Sequence, residues 1–312
     1  MDKRGERTAE TTDPTGGDGH IDPATEAFVA HRALLFTLAY EMLGSAADAE
    51  DVLQETWLRW VGVDLEQVRD RRAFLVRIAT RQALDRLRML RRRRESYIGP
   101  WLPEPLLTAP DVADNVELAE SVSMAMLLVL ETLTPTERAV FVLREVFVLS
   151  YDEIAEAVDK SPAAVRQIAY RARAHVAARR PRAVVSPADT RAALRAFQHA
   201  IESGELRNLI DILAPDVVYL GDGGGSVQAM PQPVVGAVAV ARLLSLGLNT
   251  FTAGVSTEPV QINGYPALRL RRNDEIDSIV ALRVEDGLIT GFYAVRNPRK
   301  LSRVETETEL AR

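Results

Sequence analysis

Apolar positions recur with a helical period from Asp22 to Arg94. In FVAHRALLFTLAYEMLG, Phe28, Leu35, Leu38 and Met42 fall near one face, and Gly44 offers a C-cap. SAADAEDVLQETWLRW follows, with Ser45 placed to cap, acids in the first turns, and Val52, Leu53, Trp57 and Trp60 behind them. After the loop VGVDLEQVRD, the run RRAFLVRIATRQALDRLRMLRRRR predicts a third helix. Its apolar stripe is Phe74, Leu75, Ile78, Leu84 and Leu87, and Arg77, Arg81, Arg88 and Arg91 occupy the remainder. Asp85 is spaced to pair with Arg81 or Arg88.

Residues 96–114 break the period. Gly99, Pro100, Pro103, Pro105 and Pro110 mark a linker. Within it, Trp101 and Leu102 form an apolar plug with nothing local to bury them. Helix resumes near Asn115 and reads as one element through VELAESVSMAMLLVLETL. TPTERAVFVLREVFVL, SYDEIAEAVDK and SPAAVRQIAYRARAHVAARR then predict three helices in close succession, capped by Thr134, Ser150 and Ser161, with Pro135 and Pro162 in first helical positions. Beyond Pro181 the pattern changes. PADTRAALRAFQHAIESG, ELRNLIDILA and PVVGAVAVARLLSLG read as helices, whereas DVVYLGDGGG, VQINGYPALRLRR and SIVALRVEDGLITGFYAV read as strands. Asn263-Gly264 and Asp286-Gly287 sit between apolar runs as hairpin signals. The expected organisation is a polar, disordered leader (1–21), an all-α unit (22–95), the linker (96–114), a second all-α unit (115–182) and an α+β unit (187–312).

Composition narrows the chemistry. Of 312 residues, none is cysteine, which excludes disulfides, thiol nucleophiles and cysteine-ligated metal. No apolar run approaches the roughly 20 residues of a membrane span. No metal or cofactor is expected. The formal net charge is -6, yet all but three of the 38 basic residues are arginine. A GC-rich genome explains that bias as readily as phosphate binding does, so position says more than number. From Lys160 to Arg182 there are seven basic residues and no acid.

That basic stretch coincides with a helix-turn-helix pattern. A short amphipathic helix carrying Ile154, Ala155 and Val158 ends near Asp159-Lys160, and a second begins at the Ser161 cap. Val165, Ile168 and Ala172 would face the core, leaving Ala163, Ala164, Arg166, Gln167, Tyr170, Arg171 and Arg173 for DNA. A plain three-helix bundle with a solvated basic face is the simpler alternative, but cap, turn, small-residue packing and charge all agree with DNA binding.

DAEDVLQETWLRW (48–60) followed by RRAFLVRIATRQALDRLR (71–88) resembles region 2 of bacterial sigma factors of the extracytoplasmic-function type. Residues 134–180 resemble their region 4. The resemblance implies that Asp48, Asp51, Gln54, Glu55 and Trp57 dock on the β′ clamp helices of core RNA polymerase. It implies that Arg77, Arg81, Arg88 and Arg91 meet the minus-ten promoter element, and that the helix-turn-helix reads the minus-thirty-five element near the β flap. Arg81 stands where many members carry asparagine. WLPEPL (101–106), DGGG (222–225) and NPRKL (297–301) resemble motifs of sigma factors extended by a SnoaL-like domain, a cone-shaped α+β fold; Arg299 replaces the usual aspartate. In that subgroup Trp101, Leu102, Pro103, Asp222, Gly223, Gly224, Asn297 and Pro298 would form an interdomain regulatory contact, with the extension acting in place of a separate anti-sigma factor, in the cytoplasm and away from any membrane. Two other functions remain open on residues alone: a conventional helix-turn-helix regulator, and a DNA-tethered cyclase- or isomerase-like enzyme using His199 or Asp222, with Asp216 nearby.

Overall fold

The structure, a computed structural model, describes residues 22–94, 96–109, 112, 115–179, 187–203, 210–251 and 255–312. The expected disordered leader lies outside them.

Three helices form the first unit: α1 (Pro23–Leu43), α2 (Ala46–Trp60) and α3 (Arg71–Arg94). Gly44 ends α1 in the left-handed region at φ +67°, and Ser45 caps α2 by accepting from Asp48 N at 3.2 Å. Leu35, Leu38, Met42, Leu53, Leu75 and Leu84 fill the core. Trp60 is fully buried and its indole N–H bonds Ala24 O at 2.8 Å, tying α2 to the start of α1.

The second unit holds α4 (Val116–Val122), α5 (Met124–Glu131), α6 (Pro135–Phe141, continued by a π turn over Val142–Val146), α7 (Tyr151–Val158) and α8 (Pro162–Ala177). The single helix expected after Asn115 is two. Ser123 takes extended backbone (ψ 147°), and its hydroxyl caps α5 by accepting from Met126 N at 3.2 Å. Serine competes with helical hydrogen bonding in this way. Thr134 and Ser150 make complete capping boxes with Glu137 and Glu153. Val165, Ile168 and Ala172 are buried, as the helix-turn-helix pattern requires.

The third unit pairs α9 (Pro187–Ser203) and α10 (Ala237–Phe251) with one six-stranded sheet. Its strands are β1 (Leu213–Asp222), β2 (Val234–Val235), β3 (Val255–Ile262), β4 (Tyr265–Arg272), β5 (Glu275–Glu285) and β6 (Leu288–Val295); a short α11 (Pro298–Leu301) follows. Strand order is β2-β1-β6-β5-β4-β3, antiparallel throughout except for the parallel β1–β6 pair. The Asn263-Gly264 and Asp286-Gly287 hairpins form where expected. The helix expected over residues 205–214 is not helical at its end: Leu213 and Ala214 begin β1, where Leu213 pairs with Ile289. Residues 205–209 of that helix lie outside the described residues. The first two residues of PVVGAVAV, after the proline, are strand rather than helix, closing a pair with Val218 and Tyr219.

Each face of the sheet is covered. Leu268, Val280 and Phe292 pack with Phe197 of α9 and Val240 of α10. Their strand neighbours Ala267, Ile279 and Tyr293 point to the opposite face and pack with Leu102 of the linker and Met124 of α5. The linker therefore lies between the helical units and the sheet.

Candidate functional site

Parallel pairing of β1 with β6 sets Asp222 opposite Val295, and the turn after β6 then brings α11 to the same place. Asp222 is fully buried. Its carboxylate accepts from Tyr97 Oη (2.6 Å), Leu102 N (2.9 Å), Gly224 N (3.0 Å) and Lys300 Nζ (2.6 Å). A buried carboxylate is tolerated only with such compensation. Burial pushes the Lys300 ammonium down to about 8, against the pull of Asp222. Lys300 Nζ also donates to Leu102 O, so both backbone groups of Leu102 end on the Asp222–Lys300 pair. Asn297 caps α11 through Arg299 N (3.1 Å) and donates to Tyr97 Oη (2.9 Å), with Pro298 at the first helical position. The glycines are required by contact: a Cβ on Gly224 would lie 2.2 Å from Asn297 Nδ2, and one on Gly223 2.3 Å from Val227 O.

Trp101 is held between two cations, with the Arg94 guanidinium 3.6 Å and the Lys300 ammonium 4.3 Å from its ring centre. Its far edge closes on Gly44, where a Cβ would be 2.7 Å away. Leu102 and Pro103 are buried. The plug thus finds its pocket in the first unit and the sheet together. Arg94, the last residue of α3, does not extend the outward arginine face: it turns inward to Trp101, Glu131 and Leu43 O.

A second contact lies further along the linker. The Glu104 carboxylate sits at the start of α2, accepting from Ala46 N (2.8 Å), Ala47 N (3.3 Å) and Ser45 Oγ (3.2 Å). Burial nonetheless raises its pKa above the ordinary value. Asn263, at the tip of the β3–β4 hairpin, accepts from Leu106 N (3.0 Å) and donates to Tyr40 Oη (2.7 Å) and Val122 O (2.8 Å). The next residue, Gly264, has no room for a side chain: a Cβ would lie 2.7 Å from Ala119 Cβ of α4. The last residues return to the helices as well. Leu310 joins their core, Ala311 N bonds Thr37 Oγ1 at 3.0 Å, and Arg312 pairs with Glu117.

The outward faces are arranged as follows. On α2, Asp51, Gln54, Glu55 and Leu58 form an exposed stripe, with Leu58 61% exposed. Asp48 and Asp51 are bridged by Arg86 of α3 (2.6 and 2.8 Å). Trp57 lies half-buried against Phe28, with ring centres 5.1 Å apart. On α3, Arg88 and Arg91 are exposed, Asp85 pairs with Arg88 at 2.9 Å, and Arg77 and Arg81 both reach Glu156 of α7. On α8, Ala163, Arg166, Gln167, Tyr170, Arg171 and Arg173 are exposed and Ala164 is half-buried. His199 is exposed on α9, and the Asp222 carboxylate is spoken for by its four donors. Among the described residues no group of three His, Asp or Glu could hold a metal, and no helix is long and apolar enough to cross a membrane.

Tyr97, Glu104, Asn263 and Lys300 join the interdomain contact beyond the residues that the sequence points to. Glu104 and Lys300 lie inside WLPEPL and NPRKL, so their closeness to Trp101 and Asn297 along the chain is a usable signal. Asn263 registered only as a turn residue, and nothing local marks Tyr97.

Comparison with known proteins identifies the two helical units and finds relatives of the whole chain. Residues 27–93 match the family described as Sigma-70 region 2, and residues 123–176 match Sigma-70, region 4. The chain is 35% identical over 302 residues to the ECF RNA polymerase sigma factor SigJ of Mycobacterium tuberculosis, covering 88% of this chain and 92% of that protein. It is 34% identical over 289 residues to the probable ECF RNA polymerase sigma factor SigI of the same organism, covering 92% and 97%. The crystal structure of M. tuberculosis SigJ superposes with a TM-score of 0.72 at 31% identity, covering 89% of this chain and 98% of that one.

Proposed function

This chain belongs to the extracytoplasmic-function (ECF) family of RNA polymerase sigma factors and directs promoter-specific transcription initiation, and on that basis we propose that its fused C-terminal domain is an internal clamp on the sigma portion. The observation that carries this reading is Asn263. One side chain from the sheet domain bonds α1, α4 and the linker at once, so the sheet holds the two helical units in one arrangement. The Asp222–Lys300 pair fixes the linker that joins those units. The extension thereby acts in place of a separate anti-sigma factor. Asp222, the acid that an enzymatic reading would use, is held by four donors, which supports a structural role for it rather than acid–base chemistry.

In the same reading the exposed stripe of α2 docks on the β′ clamp helices of core polymerase, in the cytoplasm, and the second helical unit approaches the β flap. Asp48, which Arg86 holds, and half-buried Trp57 support that stripe from within. Arg88 and Arg91 of α3 meet the minus-ten strand, and α8 enters the major groove of the minus-thirty-five element with Arg166, Gln167, Tyr170, Arg171 and Arg173. The test is reconstituted transcription. Core polymerase with the full chain should start discrete transcripts, and weakening the clamp at Asn263 should change their yield. A chain that never supports initiation, clamped or weakened, would sink the polymerase-docking assignment; unchanged yield on weakening would sink the clamp.

A further inference from the structure

The contact between α3 and α7 has a consequence for DNA binding. Arg77 Nη1 pairs with Glu156 Oε2 at 3.0 Å, and Arg81 Nη2 donates to Glu156 O at 2.8 Å. Two of the four α3 arginines assigned to the promoter strand are therefore bound to one residue of the helix-turn-helix. The Glu156 carboxylate gives Arg77 the anionic oxygen that a backbone phosphate would give it, and the Glu156 carbonyl oxygen supplies an acceptor to Arg81. A cavity of about 420 Å³ lies beside the contact, lined by Gln67, Arg69, Phe74 and Arg77 on one side and by Glu153 and Glu156 on the other.

We propose that α7 is a built-in stand-in for the promoter strand: Glu156 occupies Arg77 and Arg81, so the helix-turn-helix unit and single-stranded promoter DNA exclude each other from α3. This deepens, and rests on, the assignment of α3 to the minus-ten strand. Glu153 extends the acidic face over the cavity. The Arg77–Glu156 pair is partly exposed, at 34% and 67%. Such a pair adds little to stability, so Glu156 matters by occupying the arginines, while the clamp and the buried helix packing hold the units together.

The geometry of a promoter points the same way. Elements centred near minus ten and minus thirty-five are roughly 25 base pairs apart, or ~85 Å at about 3.4 Å per pair. Here α7 packs against both α3 and α8. With about 10 Å between neighbouring helix axes, α3 and α8 lie within ~20 Å of each other. Both DNA-facing helices cannot reach their elements until α7 leaves α3, and that same movement frees Arg77 and Arg81.

The chain has no cysteine, which makes a tether straightforward. Gln67 and Glu153 line the two sides of the cavity and are exposed. Gln67→Cys with Glu153→Cys, bridged by a short bis-methanethiosulfonate, locks α7 over α3, and a reductant releases it. Run-off transcription with core polymerase should fall at least about tenfold on bridging and return on reduction, with each single-cysteine variant insensitive to the reagent. Initiation by the bridged protein at the unbridged rate overturns the proposal. Separately, Glu156→Gln should bind a fluorescent single-stranded oligo(dT) about two- to fivefold more tightly at low salt, the range expected for a partly exposed pair; equal affinity overturns the part assigned to the carboxylate. Should the unbridged double variant and the native chain both fail to initiate, the polymerase-docking assignment fails instead, and the oligo(dT) comparison still decides whether Glu156 covers the arginines.

Discussion

Asn263 donates its side-chain amide to the hydroxyl of Tyr40 at 2.7 Å, across 223 positions of sequence. The same amide reaches Val122 O, and the side-chain oxygen accepts from Leu106 N. Asn263 has φ +54°, a left-handed conformation that asparagine and glycine tolerate. Asn263→Gly therefore keeps the hairpin while deleting the three bonds. The partners left behind are buried, and each such loss costs about 1–3 kcal/mol. The expected result is a stability loss of roughly 2–4 kcal/mol in urea unfolding, faster amide exchange at Glu104, Leu106, Leu107 and Thr108, and a higher transcript yield with core polymerase. Retained exchange protection at Leu106 would show that the hairpin tip is not what holds the linker.

Asp222 and Lys300 should behave as a coupled pair. Asp222→Asn leaves the Lys300 ammonium buried without its counter-charge, which costs on the order of 3–5 kcal/mol. Lys300→Met leaves Asp222 with three uncharged donors and an apolar neighbour for Trp101. Because each single change strands the other charge, the double variant should be more stable than the sum predicts, by at least about 1 kcal/mol. Thermal unfolding of the four proteins measures this, and simple additivity would mean that the two side chains do not stabilise each other.

Glu41 makes the closed packing sensitive to pH. It is fully buried, its Oε1 accepts from Ser121 Oγ of α4 at 2.7 Å, and its Oε2 has no hydrogen-bond partner among the described residues. Arg138 of α6 donates to its backbone oxygen at 2.9 Å. Burial raises the carboxyl to about 7, opposed by the Ser121 bond and by Arg138 and Arg312. A carboxyl whose pKa is higher when packed than when exposed takes up a proton on packing. The closed form should lose stability as pH rises from about 4.5 to about 7, and be flat in this respect above it. Glu41→Gln should abolish that slope. A slope of the same size in the variant would assign the dependence to other groups.

The sequence carried the helical units well because their caps are local. Ser45, Thr134, Ser150 and Ser161 each precede an apolar stripe by the distance that a cap requires. It failed where long-range contact decides conformation. The break at Ser123 lets Met124 turn toward the sheet, and the strand at Leu213 exists because Ile289 pairs with it. The junction was half visible. Trp101 between prolines announced an unburied plug, and DGGG stood out as a motif, but neither states that Asp222 closes on the Leu102 amide. The inward turn of Arg94 was hidden for a related reason: in a run of arginines only the tertiary partners, Trp101 and Glu131, distinguish an interior cation from a solvent-facing one.

The stripe on α2 separates docking from folding. Glu55 and Leu58 are exposed, so Glu55→Lys and Leu58→Asp should shift stability by no more than about 0.5 kcal/mol. If the stripe meets core polymerase, Glu55→Lys reverses a charge facing a basic partner and Leu58→Asp places a carboxylate in an apolar contact; each should weaken binding about tenfold or more. The two should differ in salt response: screening acts on the charge reversal, so raising salt narrows the Glu55→Lys deficit more than the Leu58→Asp one. Trp57→Ala is the contrasting case. Its ring packs on Phe28, so it should lower stability by about 2–3 kcal/mol and binding with it. Fluorescence titration of labelled core polymerase at two salt concentrations, alongside thermal unfolding, measures all three. Native-like affinity in both Glu55→Lys and Leu58→Asp would remove α2 from the docking surface.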